Sequence, residues 1–419
     1  MKFSHIPRLP AWLFQLSPQV WILALGRFLC EFGTGFTLFY APIFFVNQVG
    51  LSTTAVGFAL GSASVSGIVG RILGGSFSDS PHIGRRNTLL LSLTIAAIGS
   101  FVLAGSNNFA TLVVGNLITG LGTGLYWPAT EAVVADQTKN ENIREAFALT
   151  RLADNFGMGL GILLAGILVT TTGSYRTLFI IDGISFLVFF VVVYIGIREN
   201  YQSQKVSSAK KQQRSAWIEA LRDQRLIVFV LVNIIFTTYN AQLHSTLPIY
   251  FKNFVVVETV QGFAASTISA LFAWHLAIAI VTQLPVASLG RRLNHPQALS
   301  VSALLWAIGF SLIWLTGVTS IPLFWATTAL GVFSIAVVSY APSASALITE
   351  IAPQSQRGVY FSMNSLCWAV GYFIGPTLGG WALDQPTIVV DSFWLGLSLS
   401  VIVTIAILQY LNGMLSHRH

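Results

Sequence analysis

The sequence predicts an all-α integral membrane protein, with twelve transmembrane helices in two six-helix pseudo-symmetric halves. Three observations carry that prediction. Hydrophobic residues make up 54% of the 419 and charged residues only 9%, with a mean hydropathy of +0.71. Soluble domains carry about 25% charged residues, so this chain cannot cover a solvated surface. Runs of roughly 20 or more apolar residues, the length that crosses a bilayer, recur twelve times between polar breaks. Several polar signals also repeat at a spacing of about half the chain.

The runs fall near 19–46, 54–78, 87–105, 109–135, 147–170 and 176–198, then 226–251, 262–288, 297–317, 320–349, 358–383 and 392–413. Ahead of the first, Ile6 to Ser17 holds Pro7, Pro10, Trp12 and Phe14 and reads as an interfacial lead-in. The first run is much longer than the ~7–15-residue apolar core of a cleavable signal, so none is expected. Between runs six and seven lies the one long hydrophilic segment, carrying Lys205, Lys210, Lys211 and Arg214. The division expected is an N-terminal half over 1–198, a cytoplasmic linker over 199–225 and a C-terminal half over 226–419. Cys30 and Cys367 both lie in apolar runs, which argues against a disulfide framework.

The charge balance of +7 invites a nucleic-acid reading, but placement argues otherwise. Of 22 Lys and Arg residues, Arg27 and Arg151 lie in apolar runs and only Arg176 and Lys252 face outward on an alternating topology. The remaining 18 share one side, the bias that marks cytoplasmic loops. The expectation is a cell inner membrane protein with both termini cytoplasmic, the lipid bilayer as its environment and no nucleic acid as partner.

The turn after the second run reads Gly74-Gly75-Ser76-Phe77-Ser78-Asp79-Ser80-Pro81-His82-Ile83-Gly84-Arg85-Arg86. Small residues permit close backbone approach at a tight interfacial turn. A weaker copy, Gly290-Arg291-Arg292, follows 206 residues later. Trp127-Pro128 precedes Ala341-Pro342 by 214 residues, Asp136 precedes Glu350 by 214, and Arg144 precedes Arg357 by 213. Six is an even number of spans, so the two copies form a parallel repeat, with the solute site expected at their interface near the midplane.

These residues resemble the major facilitator superfamily along essentially the whole chain. Gly75-x-x-x-Asp79 and Gly84-Arg85-Arg86 match both ends of its signature after helix two, with a spacer two residues longer than usual. Gly120-Leu-Gly122-Thr-Gly124-Leu-Tyr126-Trp127-Pro128 and Gly375-Pro376-Thr-Leu-Gly379-Gly380 are most similar to the twelve-helix drug/proton antiporters. The chain departs from them in having Asn116 where they carry an Arg in helix four, and Ile162 where helix five usually carries a Pro. The resemblance implies that helices two, five, eight and eleven line the seam between halves. It also implies a gate: Asp79 meets the start of helix eleven, and Arg85 or Arg86 reaches Asp136. Opening toward the cytoplasm would break both contacts.

An ionisable side chain at a helix centre costs about 2.5–3.5 kcal/mol on insertion scales, so each is a candidate for function. Arg27 and Glu31 are one turn apart in helix one and form either a proton site with its tuning cation or a permanent ion pair. Arg151, Asp154 and Asn155 lie near the cytoplasmic end of helix five, and Glu131 at similar depth in helix four. Arg27, Glu31, Glu131, Arg151 and Asp154 are therefore the proton-coupling candidates, the alternative being a static structural network. Asp182 in helix six is read as packing or gating. The second half offers neutral and aromatic groups instead. The pocket candidates are Asn116, Tyr126, Trp127, Asn155, Asn233, Tyr239, Asn240, Gln242, Trp274, His275, Asn364 and Trp368, a set suited to an amphipathic organic ligand.

The function expected is a monomeric secondary transporter working by alternating access, exporting a small drug-like solute in exchange for protons. Uptake by symport or uniport is the alternative, and a non-transporting sensor on the same scaffold a second. No metal cluster, nucleotide loop or nucleophile–base pair stands out, so neither a cofactor nor an enzymatic activity is expected.

Overall fold

In a computed structural model of the chain, the structure describes residues 17–78, 80, 82–138, 143–197, 218–257, 259–290, 293–353 and 357–416. Asp79, the Arg291–Arg292 copy and most of the linker lie outside the described residues. Twelve helices there are long and apolar enough to cross a membrane. Helix one is Pro18–Thr37 continued by Tyr40–Asn47; helices two to six are Thr53–Ser78, Gly84–Gly105, Phe109–Asp136, Ile143–Thr172 and Arg176–Gly196. Helix seven is Gln224–His244 continued by Thr246–Asn253, followed by a two-stranded hairpin, Val256–Val257 with Val260–Gln261. Helices eight to twelve are Ala265–Gly290, His295–Val318, Pro322–Ile351, Arg357–Leu383 and Thr387–Ser416.

Helices one and seven, expected to run unbroken, each break in mid-span. The cause is the same in both. Pro42 and Pro248 stand third in their second segments. A proline ring clashes with the carbonyl four residues earlier, here those of Leu38 and His244, where the first segments stop. The breaks thus repeat at the spacing of the two Gly-Arg-Arg turns.

Helices one to six pack on one another, helices seven to twelve likewise, and the groups meet where helix two packs on eleven and helix five on eight. At the end opposite the Gly75–Arg86 turn these seams are tight. Tyr40 donates to the Ala265 carbonyl at 2.7 Å and meets Ser269, whose hydroxyl donates to the Ile162 carbonyl at 2.6 Å. Asn47 and Asn253 exchange amide hydrogen bonds at 2.7 Å. Toward the turn the groups part: Leu152 and Phe156 of helix five are largely exposed, and a cavity opens between helices two, four and eleven.

Gly84 starts helix three with φ +75°, a conformation that suits glycine. The turn it closes holds Arg85 in an ion pair with Asp136 at the end of helix four, while Arg86 donates to the Tyr194 carbonyl at 2.6 Å and lies over its ring. Arg85 is thus the member of the pair that engages the acid. Arg85–Asp136 is formed in this arrangement, and both residues belong to the first group. At the same place in the second group His295 approaches Glu350 at 3.8 Å.

Candidate functional site

The site is built around helix one, whose glycines set how closely its neighbours approach. Gly35 abuts the Met158 carbonyl of helix five, and Gly157 and Gly161 abut the carbonyls of Phe28 and Phe32. This contact brings Arg27 against Asp154. The guanidinium donates from Nε to Oδ1 at 2.8 Å and from Nη2 to Oδ2, a two-point pair whose members are both buried. Arg27 is therefore not paired with Glu31, as four-residue spacing suggested. The planar fork of Arg matches a carboxylate across the interface better than one a turn along its own helix.

Glu31 lies one turn further along, about 6 Å by helical rise. It is 6% exposed and, among the described residues, has no hydrogen-bond or ion-pair partner. It lines a cavity of about 410 Å³ with Cys30, Thr34, Leu38, Thr123, Tyr126, Trp127, Met158, Phe186, His244 and Tyr372. Thr123, Trp127 and Tyr372 also line a neighbouring cavity of about 470 Å³, together with Arg71 and Trp368. The two cavities adjoin at these three shared residues.

Trp127 makes the wall between them. Arg27 lies 5.3 Å from its ring centroid and Arg151 5.6 Å, so one indole faces two cations. Arg151 approaches Glu131 at 3.4 Å, with both side chains about half exposed. Four of the five coupling candidates are thus taken up in two ion pairs. Only Glu31 faces the cavity alone.

The ceiling is made by the two helix breaks. Leu38 and His244, the residues at which helices one and seven stop, both line the cavity. Phe39 stacks on Phe272 with 3.8 Å between centroids and lies 5.5 Å from the His244 ring, whose other neighbour is Tyr372 at 6.1 Å.

Of the pocket candidates, Tyr126, Trp127 and Trp368 line this space; the other nine do not, among the described residues. Most are occupied elsewhere. Tyr340 donates to Asn233, which donates to Asn364 at 2.7 Å. Tyr239 meets Ser400 at 2.6 Å, Gln242 donates to the Gly375 carbonyl at 3.0 Å, and Trp274 donates to the Thr327 carbonyl at 3.2 Å. His275 is held by the Leu330 carbonyl at 3.1 Å and Ser334 at 2.8 Å, and Asn116 donates within its own helix to Leu112. Asn155 and Asn240 have no hydrogen bond among the described side chains. Helix seven turns its polar face to its own group, where it joins helices ten, eleven and twelve.

Sequence reasoning missed Arg71, Met158, His244 and Tyr372 as site residues. Proline counting would have found His244, since Pro248 stops the helix there. Arg71 escaped because it was placed with the loop cations. It lies inside helix two, where it donates to Ser365 of helix eleven at 2.7 Å.

Twelve spans, two packing groups and an internal cavity between them describe a polytopic transporter. The sequence profile of the Major Facilitator Superfamily matches residues 23–256 and 253–412. The chain belongs to that superfamily, whose members are transporters and not enzymes. It is similar to the multidrug resistance protein MdtH of Aeromonas hydrophila, at 25% identity covering 90% of both chains. It is also similar to YttB, an uncharacterized MFS-type transporter of Bacillus subtilis strain 168, at 24% identity over 87% of this chain and 88% of that one. A Na(+), Li(+), K(+)/H(+) antiporter of Planococcus maritimus is 23% identical over 80% of this chain and 83% of its own. Among solved structures the nucleoside transporter NupG superimposes with a TM-score of 0.79 at 14% identity, over 94% of this chain and 99% of that one. A POT family transporter in complex with 5-aminolevulinic acid gives 0.74 at 15% identity, over 93% and 95%.

Proposed function

We propose that this transporter exports an amphipathic organic solute in exchange for protons, with Glu31 as the group that carries the proton. The turn end of the bundle is cytoplasmic on the distribution of Lys and Arg, so the arrangement described is inward-facing and closed outside. The observation that carries the reading is the isolation of Glu31. Arg27 and Asp154 cancel one another, so the cavity of about 410 Å³ loses one negative charge when Glu31 is protonated, while Arg71 lines the adjoining cavity. An uncompensated charge inside a bilayer protein is costly and is retained where it is used. A proton and a cationic or hydrogen-bonding solute can then compete for one carboxylate, which is what exchange requires. Trp127, Tyr126, Tyr372 and Phe186 supply apolar faces for the solute body. The names of the MdtH and cation/proton antiporter relatives support the same class of chemistry.

Inverted membrane vesicles test this reading, with ethidium as the probe and an acid interior as the driving force. Wild-type vesicles should accumulate the dye until the gradient is collapsed. Glu31→Gln should lose gradient-driven accumulation. Accumulation by Glu31→Gln at the wild-type rate and pH dependence rejects Glu31 as the carrier.

A further inference from the structure

The closed end holds one contact of a different kind from the rest. Helix two begins at Thr53, and the first N–H groups of any helix lack partners within it. Two of them, on Thr53 and Thr54, are satisfied from the opposite half of the molecule, while the Ser52 hydroxyl accepts from the Ala55 N–H at 3.2 Å. Asp384, just past helix eleven, accepts on Oδ1 from the Thr53 N–H at 3.0 Å and lies 2.7 Å from its hydroxyl, which shares its one hydrogen between this oxygen and the Gly380 carbonyl at 2.6 Å. On Oδ2 it accepts from the Thr54 N–H at 2.8 Å and its hydroxyl at 2.5 Å. A cap normally comes from the residue before its helix, as Ser52 does here; Asp384 adds a second one from 331 residues away. Below it Gly57 meets the Pro376 carbonyl and Gly61 the Phe373 backbone, beside an edge-on pair of Phe58 and Phe373, so the carboxylate sits at the top of a closely packed seam.

We propose that Asp384 is the residue that holds the outer gate shut: it clamps the start of helix two to the end of helix eleven, and the clamp must release for the solute to leave. The neighbouring bonds across the seam, Tyr40 with Ala265 and Ser269 and Asn47 with Asn253, are neutral. Asp384 alone among these places a full negative charge on a helix N-terminus, where the aligned peptide dipoles favour it. A carboxylate with both oxygens engaged also fixes direction, since turning helix two away lengthens its contacts to Thr53 and Thr54 together. Asp384 touches neither cavity, so it is a positioning residue and acts through helix two.

The inference rests on the alternating-access reading, and one experiment separates the two. Spin labels at Thr172 and Ser320, one in each half at the outer end, report the gate by pulsed dipolar spectroscopy in a Cys30→Ser/Cys367→Ser background. The wild type should show a dominant short distance and a minor long one that responds to pH and ethidium. Asp384→Ala and Asp384→Asn should raise the long-distance population about fivefold or more, the equivalent of a lost helix cap. Asn fails here because one oxygen becomes an NH2 facing donors. Should neither variant purify, Thr53→Val/Thr54→Val removes both hydroxyls that reach across to Asp384 and Gly380 and should move the distribution the same way. An unchanged distribution in a folded variant overturns the clamp, as does lost thermal stability without a shift. A single distance in the wild type under every condition overturns alternating access as well.

Discussion

Arg27 and Asp154 are joined by two parallel hydrogen bonds between helices one and five, in a site sealed from water. Removing one partner of such a pair leaves a buried charge alone, at a cost of about 3–5 kcal/mol. Asp154→Asn is therefore expected to lower the thermal unfolding midpoint sharply in detergent. Arg27→Met/Asp154→Leu, which removes both charges, should recover most of that loss. On the proposal that Glu31 is the proton carrier, the double variant should keep the pH dependence of ethidium accumulation.

Trp127 has the guanidinium groups of both Arg27 and Arg151 over its ring and borders both cavities. Trp127→Ala should weaken ethidium binding about tenfold, since a lost aromatic wall and its contacts sum to roughly 1–2 kcal/mol. Arg151→Gln should be mild, within about 1 kcal/mol, because its partner Glu131 is as exposed as itself. Fluorescence titration of purified protein checks both.

The twelve spans were legible because each is a long apolar run, and the repeat because its polar markers keep their spacing. The cavity was harder to read. Helix seven shows six polar residues in sequence, but sequence does not say which side of a helix meets the other half. Asn233 and Tyr239 proved to bond within their own half, and His244 reached the cavity only because Pro248 stops the helix there. Pairing across helices was similarly hidden. Arg27 has an acid four residues away in sequence, and contact between glycines and backbone of helices one and five gave it a better one.

Arg85 holds Asp136 within one half, so this contact travels with the half when the gate moves. Asp136→Asn should cost about 1 kcal/mol in unfolding measurements, as expected for a partly exposed pair. It should leave the distance between Thr172 and Ser320 labels unchanged. A shift in that distance would return the pair to the gating machinery.

The Asp384 clamp has a defined pH range. Burial acts to raise the pKa of its carboxyl, but the hydrogen bonds from Thr54 and Thr53 outweigh it, and the net effect is a value below the ordinary 3.8. A group lowered on forming a contact contributes fully above its ordinary value and loses that contribution as pH falls through the lowered one. The Thr172–Ser320 distance distribution of Glu31→Gln, which removes the other titration, should thus be flat from about pH 8 to pH 5. The long distance should gain only below pH 3.8.

Gly57, Gly61 and Gly380 place helix two against helix eleven with main chain on main chain. Interlocked side chains must change rotamer before two helices can shift, and each change is an activated step. At these glycines the seam has no such teeth, and Phe58 against Phe373 is the aromatic pair it carries. Helix two can pivot on helix eleven like a journal in a plain bearing, and a bulkier residue at Gly57 would add friction without touching the cargo. Once the clamp above this seam lets go, the rate of opening should be set by the clamp and the solute, not by the seam itself.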